Sequence, residues 1–382
     1  MPDNFDPTLT PDLEAKPGRE DCPTKLEKTY QIARRALLSR GLWILWLVRE
    51  ENGELIFDGW AIPPQDLPMR LRFFVNGIEC TVVGHPVDPA VDTVVKRYGL
   101  SGNSSRYAFR CAVPMEQIGD TQNLRVEFRP GSGRELSPYQ DWYLRLKPGP
   151  QPDTGRRLRV AGTADPDMFE RLGVSDCLAM RRALLEYFGR DYADYESIMD
   201  WGCGCARVAR FVAEFAPRKL TGIDIDPDNI EWCKKNITQA EFDRIGLDPP
   251  TRFNDGSFDL VYGLSVFSHL SEADQDRWLM EIQRITKPGG AVLMSIQGEI
   301  AFLRADGDFE RFLLLEKKGL HVYGRSPDLD DVLPEMKNSG YYKNIFHSRR
   351  YVYERWNRYF EIVDVIDAAF AGYQDLVVMR RR

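Results

Sequence analysis

The feature that most constrains the fold is the stretch over residues 198–224, which begins IMDWGCGCARVAR. An apolar run ends at Asp200, a turn containing Gly202 and Gly204 follows, and a second apolar run ends at Asp224. Glycine is needed where a ligand approaches the backbone, because no Cβ can intervene. An acidic residue at the end of the next strand can accept hydrogen bonds from both hydroxyls of a ribose. This order predicts a site for a ribose-containing cofactor.

Other interpretations of the loop account for less of the stretch. A dinucleotide site needs G-x-G-x-x-G, but Arg207 occupies the last glycine position and crowds the turn. A metal site would use Cys203 and Cys205, but their C-x-C spacing is shorter than the usual C-x2-C, and no second close pair of Cys or His follows. We therefore predict no metal site. A purely structural glycine turn stays open.

The rest of the second part of the chain continues the same pattern. Apolar runs rich in β-branched residues alternate with helical patterns, as in a parallel sheet with crossover helices. The predicted strands are 197–200, 220–224, 258–263 and 290–296. The predicted helices are 206–215, 228–236 and 272–285.

The first part of the chain has a different organisation. Residues 1–23 are acidic and rich in proline, which predicts a disordered tail. Residues 24–148 contain a helical pattern at 25–40 and then short strands separated by turn signals, which predict an accessory β-sandwich of the immunoglobulin type. Residues 149–157 predict a linker, and the second domain covers 158–382. The predicted strands of the first domain are 42–49, 55–61, 70–75, 78–83, 106–113 and 124–128.

Composition excludes several classes of protein. The chain has 382 residues and a formal net charge of −7, which disfavours a nucleic-acid surface. Its 7 cysteines are an odd number in a chain that is not small, which fits a reducing compartment and a cytoplasmic location. The apolar run at 42–48 is too short to cross a bilayer, so we expect no membrane span.

Four motifs in order carry a resemblance to a known family. They are D-x-G-x-G at 200–204, Asp224, FDLVYGLSVFSHL at 258–270 and KPGG at 287–290. From about residue 160 to its end, the chain resembles the class I S-adenosylmethionine-dependent methyltransferases. The resemblance implies S-adenosylmethionine as cofactor and a Rossmann-like seven-stranded sheet with helices on both faces. One departure is visible: Ala206 stands where the family commonly has a third glycine, and an added methyl group is compatible with binding.

The resemblance also implies which residues contact the cofactor. The glycine loop should face its methionyl part, the acid after the second strand should hold the ribose, and the later loops should border the adenine and the sulfonium. Ser265 can equally be a turn hydroxyl without a contact. The implied residues are Asp200, Gly202, Cys203, Gly204, Asp224, Ile225, Gly246, Leu247, Leu264 and Ser265.

An alcohol acceptor needs a base near the transition state, and histidine suits neutral pH. His347 lies in a segment at about 298–356 that is too long for a simple connection and predicts a substrate cap. His269 follows a strand that should line the pocket, where it is either the base or a packed side chain. Tyr341, Tyr342 and Asn344 provide the aromatic faces and polar groups that a sugar needs.

Within the family, the motifs FDLVYGLSVFSHL, YYKNIFHSRRYV and GYQDLVVMR resemble a bacterial subgroup linked to cell-surface polysaccharide biosynthesis. That resemblance implies O-methylation of a sugar hydroxyl of a small-molecule or glycan acceptor. A methyltransferase for another small molecule or a protein amine, and a non-catalytic cofactor-binding scaffold, stay open. The first domain can bind glycan, mediate a homodimer or shield one face of the second.

Overall fold

The computed structural model describes residues 42–62, 71–75, 78–84, 107–118, 126–130, 149–215, 217–305, 308–325, 342–371 and 373–382. The predicted tail at 1–23, the predicted helix at 25–40 and Tyr341 lie outside these ranges. The chain divides between Pro148 and Gly149 into two compact units.

The first unit contains six strands that pair antiparallel in the order β1-β2-β5-β4-β3-β6. Each falls within a residue or two of a predicted strand. A short helix, α1 at Met115–Ile118, follows the fifth. The strands are β1 Leu42–Glu51, β2 Glu54–Ile62, β3 Leu71–Val75, β4 Ile78–Gly84, β5 Ala108–Pro114 and β6 Val126–Pro130.

Strand β4 passes between two halves of this sheet. Residues 78–80 pair with β3, whereas residues 81–84 pair with β5. Although β2 and β3 are not neighbours in the strand order, the rings of Phe57 and Phe73 are 5.0 Å apart. A flat sheet would separate these strands by about 14 Å, because adjacent strands lie about 4.8 Å apart. The sheet therefore folds over on itself, while the immunoglobulin-like topology stays a prediction.

The second unit is built on a seven-stranded mixed sheet with the order β14-β15-β11-β10-β7-β8-β9. β15 runs antiparallel to both of its neighbours, and β11, β10, β7, β8 and β9 are parallel. The α/β sheet of seven strands expected from the sequence is confirmed. Its strands are β7 Ile198–Trp201, β8 Leu220–Asp224, β9 Glu241–Arg244, β10 Phe258–Gly263, β11 Thr286–Ile296, β14 Glu361–Phe370 and β15 Gln374–Arg380.

Every residue of β7, β8 and β10 is buried, as expected for parallel strands covered on both faces. Two helices, α2 and α3, precede the sheet. The predicted linker is only partly irregular, because Asp153 caps α2 and starts the helix inside it. The helices up to β11 are α2 Thr154–Ala161, α3 Pro166–Phe188, α4 Ala209–Val212, α5 Pro227–Asn236 and α6 Glu272–Ile285.

The predicted cap at 298–356 is an insertion between β11 and β14. Its two strands pair antiparallel, and the end of β11 forms a bridge from Gln297 to Phe346. Covering the acceptor stays a prediction for this insertion. It contains α7 Glu299–Ala305, α8 Phe309–Lys318, β12 Leu320–Arg325, β13 Lys343–His347 and α9 Arg349–Arg355. No helix in the described ranges is both long and apolar enough to cross a membrane.

Helix α3 packs closely against the turn that follows the glycine loop. A Cβ on Gly173 would lie 2.3 Å from the Arg207 carbonyl oxygen and 2.8 Å from the Phe211 ring. We expect Gly173→Ala to lower the free energy of unfolding by about 1–3 kcal/mol, because the steric overlap outweighs the gain in helix propensity.

Urea denaturation measures this change, with Gly155→Ala on α2 as the control. A Cβ on Gly155 would meet only the ends of two side chains, Asp153 Oδ1 at 3.2 Å and Arg159 Nη1 at 3.8 Å. This control should equal or exceed the parent in stability. Equal stability of the two variants would show that the contact at Gly173 is not tight.

Candidate active site

A cleft opens where the parallel strands end. It is lined by the loops after β7, β8 and β10, by α2 and by Tyr342 of the insertion. All the predicted cofactor residues except Gly246 and Leu247 line it; their contact with a cofactor stays a prediction. The cleft encloses about 1030 Å³ including its open mouth, which is large enough for a nucleoside-sized ligand.

The glycine loop needs the backbone that glycine provides. Gly202 and Gly204 have φ values of +75° and +53°. An added Cβ would lie 2.3 Å from Val266 at the first position and 2.8 Å from Val160 at the second. Both glycines are therefore required for the loop itself, and they leave its backbone open to the cleft.

Asp224 joins this loop to the one after β8. Its Oδ2 accepts a hydrogen bond from the Gly204 N–H at 2.7 Å, and its Oδ1 accepts one from the Asp226 N–H at 2.8 Å. Each carboxylate oxygen keeps a lone pair for a further donor. Burial raises the pKa of Asp224 to about 6, and burial raises that of Asp200 to about 7.

The two residues predicted to border the adenine, Gly246 and Leu247, lie just beyond the part of the loop after β9 that lines the cleft. β9 ends at Arg244, and Ile245 donates its N–H to the Asp224 carbonyl oxygen at 2.9 Å and lines the cleft. Gly246 is exposed and does not line the cleft. Leu247 also stays outside the lining, and its carbonyl oxygen accepts a hydrogen bond from the Trp278 indole at 3.3 Å. Ile245 therefore lines the cleft where Gly246 and Leu247 do not, and the adenine contact of those two residues stays a prediction.

The cleft also contains residues that the sequence analysis did not identify. Arg159 lies on α2, and its Nη2 is 3.4 Å from Asp226 Oδ2. Arg207, which argued against a dinucleotide, forms a buried ion pair with Asp176 at 2.5 Å. The Asp153 cap and the apolar spacing of RRLRVA were the signals for α2. Within the described ranges, no three side chains of His, Cys, Asp or Glu are grouped to hold a metal ion.

His269 lies in a 3-10 turn at Phe267–His269, in the loop that borders the cleft. Its Nδ1 donates to the Lys343 carbonyl oxygen at 2.8 Å, which leaves Nε2 as a lone-pair acceptor. That Nε2 is buried and has no hydrogen-bond partner within the described residues. Burial lowers the pKa of His269 well below its usual value, so the ring is neutral at pH 7. The ring stacks on Tyr342 with centroids 4.1 Å apart.

His347, like His269, does not line the cleft, and its role as a base stays a prediction. It is completely buried, and burial lowers its pKa to about 3. The Gln275 amide donates to the carbonyl oxygens of Phe267 and Leu270, at 3.3 and 2.9 Å. Gln275 Oε1 therefore accepts from His347 Nε2 at 3.1 Å. Through Gln275, His347 supports the turn that carries His269.

The predicted substrate residues separate in the same way. Tyr342 lines the cleft and stacks on His269, whereas Asn344, the second residue of β13, is buried and does not line the cleft. Tyr341 is outside the described residues.

Comparison with known proteins agrees with this geometry. Residues 198–290, which contain the glycine loop, Asp224 and the loop carrying His269, match the family described as "Methyltransferase domain". This part of the chain is a methyltransferase domain. It is of the class I type that uses S-adenosylmethionine, which confirms the cofactor expected from the sequence.

The relatives of the methyltransferase domain are named for different substrates. The chain is 34% identical over 134 residues to a fatty-acid O-methyltransferase of Mycolicibacterium smegmatis. The matched region covers 34% of this chain and 48% of the relative. It is 27% identical over 101 residues to a 2-methyl-6-phytyl-1,4-hydroquinone methyltransferase of Synechocystis, which covers 26% of this chain and 31% of the relative. The chain thus spans half or less of the length of these relatives.

Among solved structures, an S-adenosylmethionine-dependent methyltransferase from Mesorhizobium loti is similar, with a TM-score of 0.40 and 18% identity over 54% of this chain and 100% of that one.

The residues of the methyltransferase domain fit the cofactor. The glycine loop lines the cleft, and Asp224 presents acceptors where a ribose would need them. Ile225 and Ile245 supply apolar walls for a base, and Arg159 supplies a charge for a carboxylate. We expect these residues to bind and orient the donor; contact by each stays a prediction.

The raised pKa of Asp224 predicts a pH dependence of cofactor binding. Only the ionised carboxylate accepts from both ribose hydroxyls, so we expect S-adenosylhomocysteine to bind about tenfold more weakly at pH 5 than at pH 8. The free energy of unfolding should change in the opposite direction. Because the pKa of Asp224 is raised in the folded state, its contribution to stability is largest at low pH and is lost as the pH rises through that pKa.

Calorimetric titration of the parent and of Asp224→Asn measures this dependence. The variant should bind weakly at both pH values. Comparing the two proteins removes the contribution of Asp200, which lines the same cleft and titrates nearby. Equal affinity of the parent at pH 5 and pH 8 would contradict the role of Asp224.

Ala206 has a left-handed backbone, with φ at +56°, although it is not glycine. This conformation costs a residue with a Cβ about 1–2 kcal/mol, whereas glycine loses more freedom on folding. We expect Ala206→Gly to equal the parent in the free energy of unfolding or to exceed it by up to about 1 kcal/mol.

The matched control is Ala179→Gly in the middle of helix α3, which should lose about 1 kcal/mol or more. Urea denaturation compares the two variants. A similar loss at both positions would show that Ala206 carries no backbone strain.

Proposed function

We propose that this chain is an S-adenosylmethionine-dependent O-methyltransferase that methylates a sugar hydroxyl of a glycan precursor, with His269 as the general base. The observation that carries the proposal is the state of the His269 ring. Its Nδ1 donates to the Lys343 carbonyl oxygen, which is part of the backbone. This bond fixes the orientation of the ring and leaves the lone pair on the buried Nε2. A hydroxyl acceptor requires such a group.

The bound cofactor supplies an activated methyl group: the carbon–oxygen bond forms as the carbon–sulfur bond breaks, and the hydroxyl proton passes to His269 Nε2. The chain mainly aligns the acceptor oxygen with that methyl group. Burial keeps His269 neutral at pH 7, so Nε2 carries a lone pair. Because the same burial disfavours the imidazolium, the ring takes the proton only as the oxygen–methyl bond forms. Its stacked partner Tyr342 fixes the ring plane.

Support for a sugar comes from the insertion. Tyr342 presents an aromatic ring at the cleft, and the apolar faces of sugar rings pack on aromatic side chains. Leu264 and Leu270 add apolar side chains to the same cleft. The subgroup resemblance of the sequence points to the same class of acceptor.

A carboxylate acceptor is the second candidate. It is favoured by the 34% identity to a protein named fatty-acid O-methyltransferase, and by the apolar lining of the cleft. A carboxylic acid is ionised at neutral pH and needs no base. The requirement for His269 therefore separates the two candidates.

The test is transfer of labelled methyl from S-adenosylmethionine to a panel containing UDP-glucose, UDP-N-acetylglucosamine, GDP-mannose and hexadecanoate. With the hydroxyl acceptors, we expect His269→Gln to lower kcat by about 10²–10⁴ at saturating cofactor. With hexadecanoate, the same change should leave kcat within a few-fold.

His347→Gln is the matched control. Its amide can still donate to Gln275 Oε1, so the turn that carries His269 keeps its support. We expect this variant to keep most of the parent activity. Methylation of hexadecanoate alone, or full activity of His269→Gln on a sugar nucleotide, would contradict the proposal.

A further inference from the structure

Ser265, a lining residue of the cleft, belongs to a closed ring of three hydrogen bonds. Its N–H donates to Ser295 Oγ at 2.7 Å, and Ser295 Oγ donates to Gln374 Oε1 at 2.7 Å. Gln374 Nε2 then donates to Ser265 Oγ at 3.0 Å. Gln374, which is far from the glycine loop in sequence, thus holds a residue of the cleft lining in place.

The topology of the sheet brings these residues together. β15, β11 and β10 are consecutive in the sheet, and β15 runs opposite to the other two. Gln374 is the first residue of β15, so it lies at the edge where β10 and β11 end. Ser295 is near the end of β11, and Ser265 follows β10 closely. Only an antiparallel strand can place its start at this edge.

The donors and acceptors of the ring determine the direction of each bond. Ser295 Oγ already accepts from the Ser265 backbone, so its own hydrogen goes to Gln374. That bond fixes the orientation of the Gln374 amide, with Nε2 toward Ser265. Ser265 Oγ therefore accepts from Gln374, and its hydrogen is shared with Gln374 Oε1 at 3.2 Å. A ligand can take this hydrogen without leaving any member of the ring unpaired.

The backbone of Ser265 is strained in the conformation that the ring of hydrogen bonds holds. Its φ is +58°, a left-handed conformation that costs a residue with a Cβ about 1–2 kcal/mol. Such residues persist where the surroundings hold them, and they concentrate at functional sites. Here the N–H bond to Ser295 holds the conformation and keeps the Ser265 hydroxyl at the cleft.

We propose that Ser265 donates a hydrogen bond to the acceptor oxygen and that Gln374 is the residue that positions it. This inference rests on the proposed function. A hydroxyl oxygen has one hydrogen and two lone pairs: His269 takes the hydrogen, Ser265 binds one lone pair, and the other is left to attack the methyl group. The ring thereby orients the acceptor.

The sharpest test is Gln374→Glu. A carboxylate keeps the shape of the amide and still accepts from Ser295, but it cannot donate, so Ser265 must donate to it instead. The ring stays closed while the hydrogen meant for the acceptor is consumed. Ser265→Ala removes that hydrogen directly, and Gln374→Leu removes the amide without adding a charge.

We measure kcat with the panel hydroxyl acceptor that the parent methylates fastest, and the Kd of S-adenosylhomocysteine by calorimetry. Ser265→Ala and Gln374→Glu should each lower kcat about tenfold, the effect of one hydrogen bond to the reacting oxygen. The double variant should lose no more than Ser265→Ala alone, because both changes remove one interaction. Gln374→Leu should also lower kcat. Because this inference assigns the Ser265 hydroxyl to the acceptor instead of the cofactor, all variants should bind S-adenosylhomocysteine as the parent does.

The control is Gln283→Glu on α6, whose amide donates to the Tyr359 carbonyl oxygen; it should keep the parent kcat. Losses that add in the double variant, or a weaker Kd with unchanged kcat, would overturn the inference. Failure of the parent to methylate any hydroxyl acceptor would instead overturn the proposed function. Thermal melting of each variant separates these effects from unfolding.

Discussion

The carboxylate of Asp224 is the point on which the cleft depends. One oxygen binds the glycine loop after β7 and the other binds the start of the loop after β8, so a single buried side chain sets the spacing of the two loops. The bonds come from backbone N–H groups, which have no rotamers to lose. Burial that would otherwise penalise this charge also strengthens its interactions with a bound ribose. The site is thus formed before the cofactor arrives.

The other half of the cleft depends on strand β13. At one end, the Lys343 carbonyl oxygen fixes the tautomer of His269; at the other, His347 holds Gln275, which binds two carbonyl oxygens around the same turn. Each histidine keeps one ring nitrogen without a described partner, Nε2 of His269 and Nδ1 of His347. They differ in that His269 stacks on Tyr342, a residue of the cleft lining. His347 is a core residue whose polar edge is used for support.

The sequence predicted the elements that depend on local pattern. Helix 272–285 and strands 220–224 and 258–263 match the structure at both ends, because caps and continuous apolar runs define them. It did not assign α3, although Asp165 before Pro166 and Gly189 after the last turn mark its ends. The choice between His269 and His347 depended on contacts with Lys343 and Gln275, which are distant in sequence. The displacement from Gly246 to Ile245 came from one residue at the end of β9.

The stack of Tyr342 on His269 joins the insertion to the loop after β10. The side chain that shapes the acceptor pocket and the one proposed to receive the proton therefore move together. If Tyr342 contacts the acceptor as proposed, an acceptor that fits poorly against it would displace the imidazole as well. Discrimination between acceptors would then be expressed in the rate of the chemical step more than in binding. A protein arranged in this way can bind the wrong acceptor and still leave it unmodified.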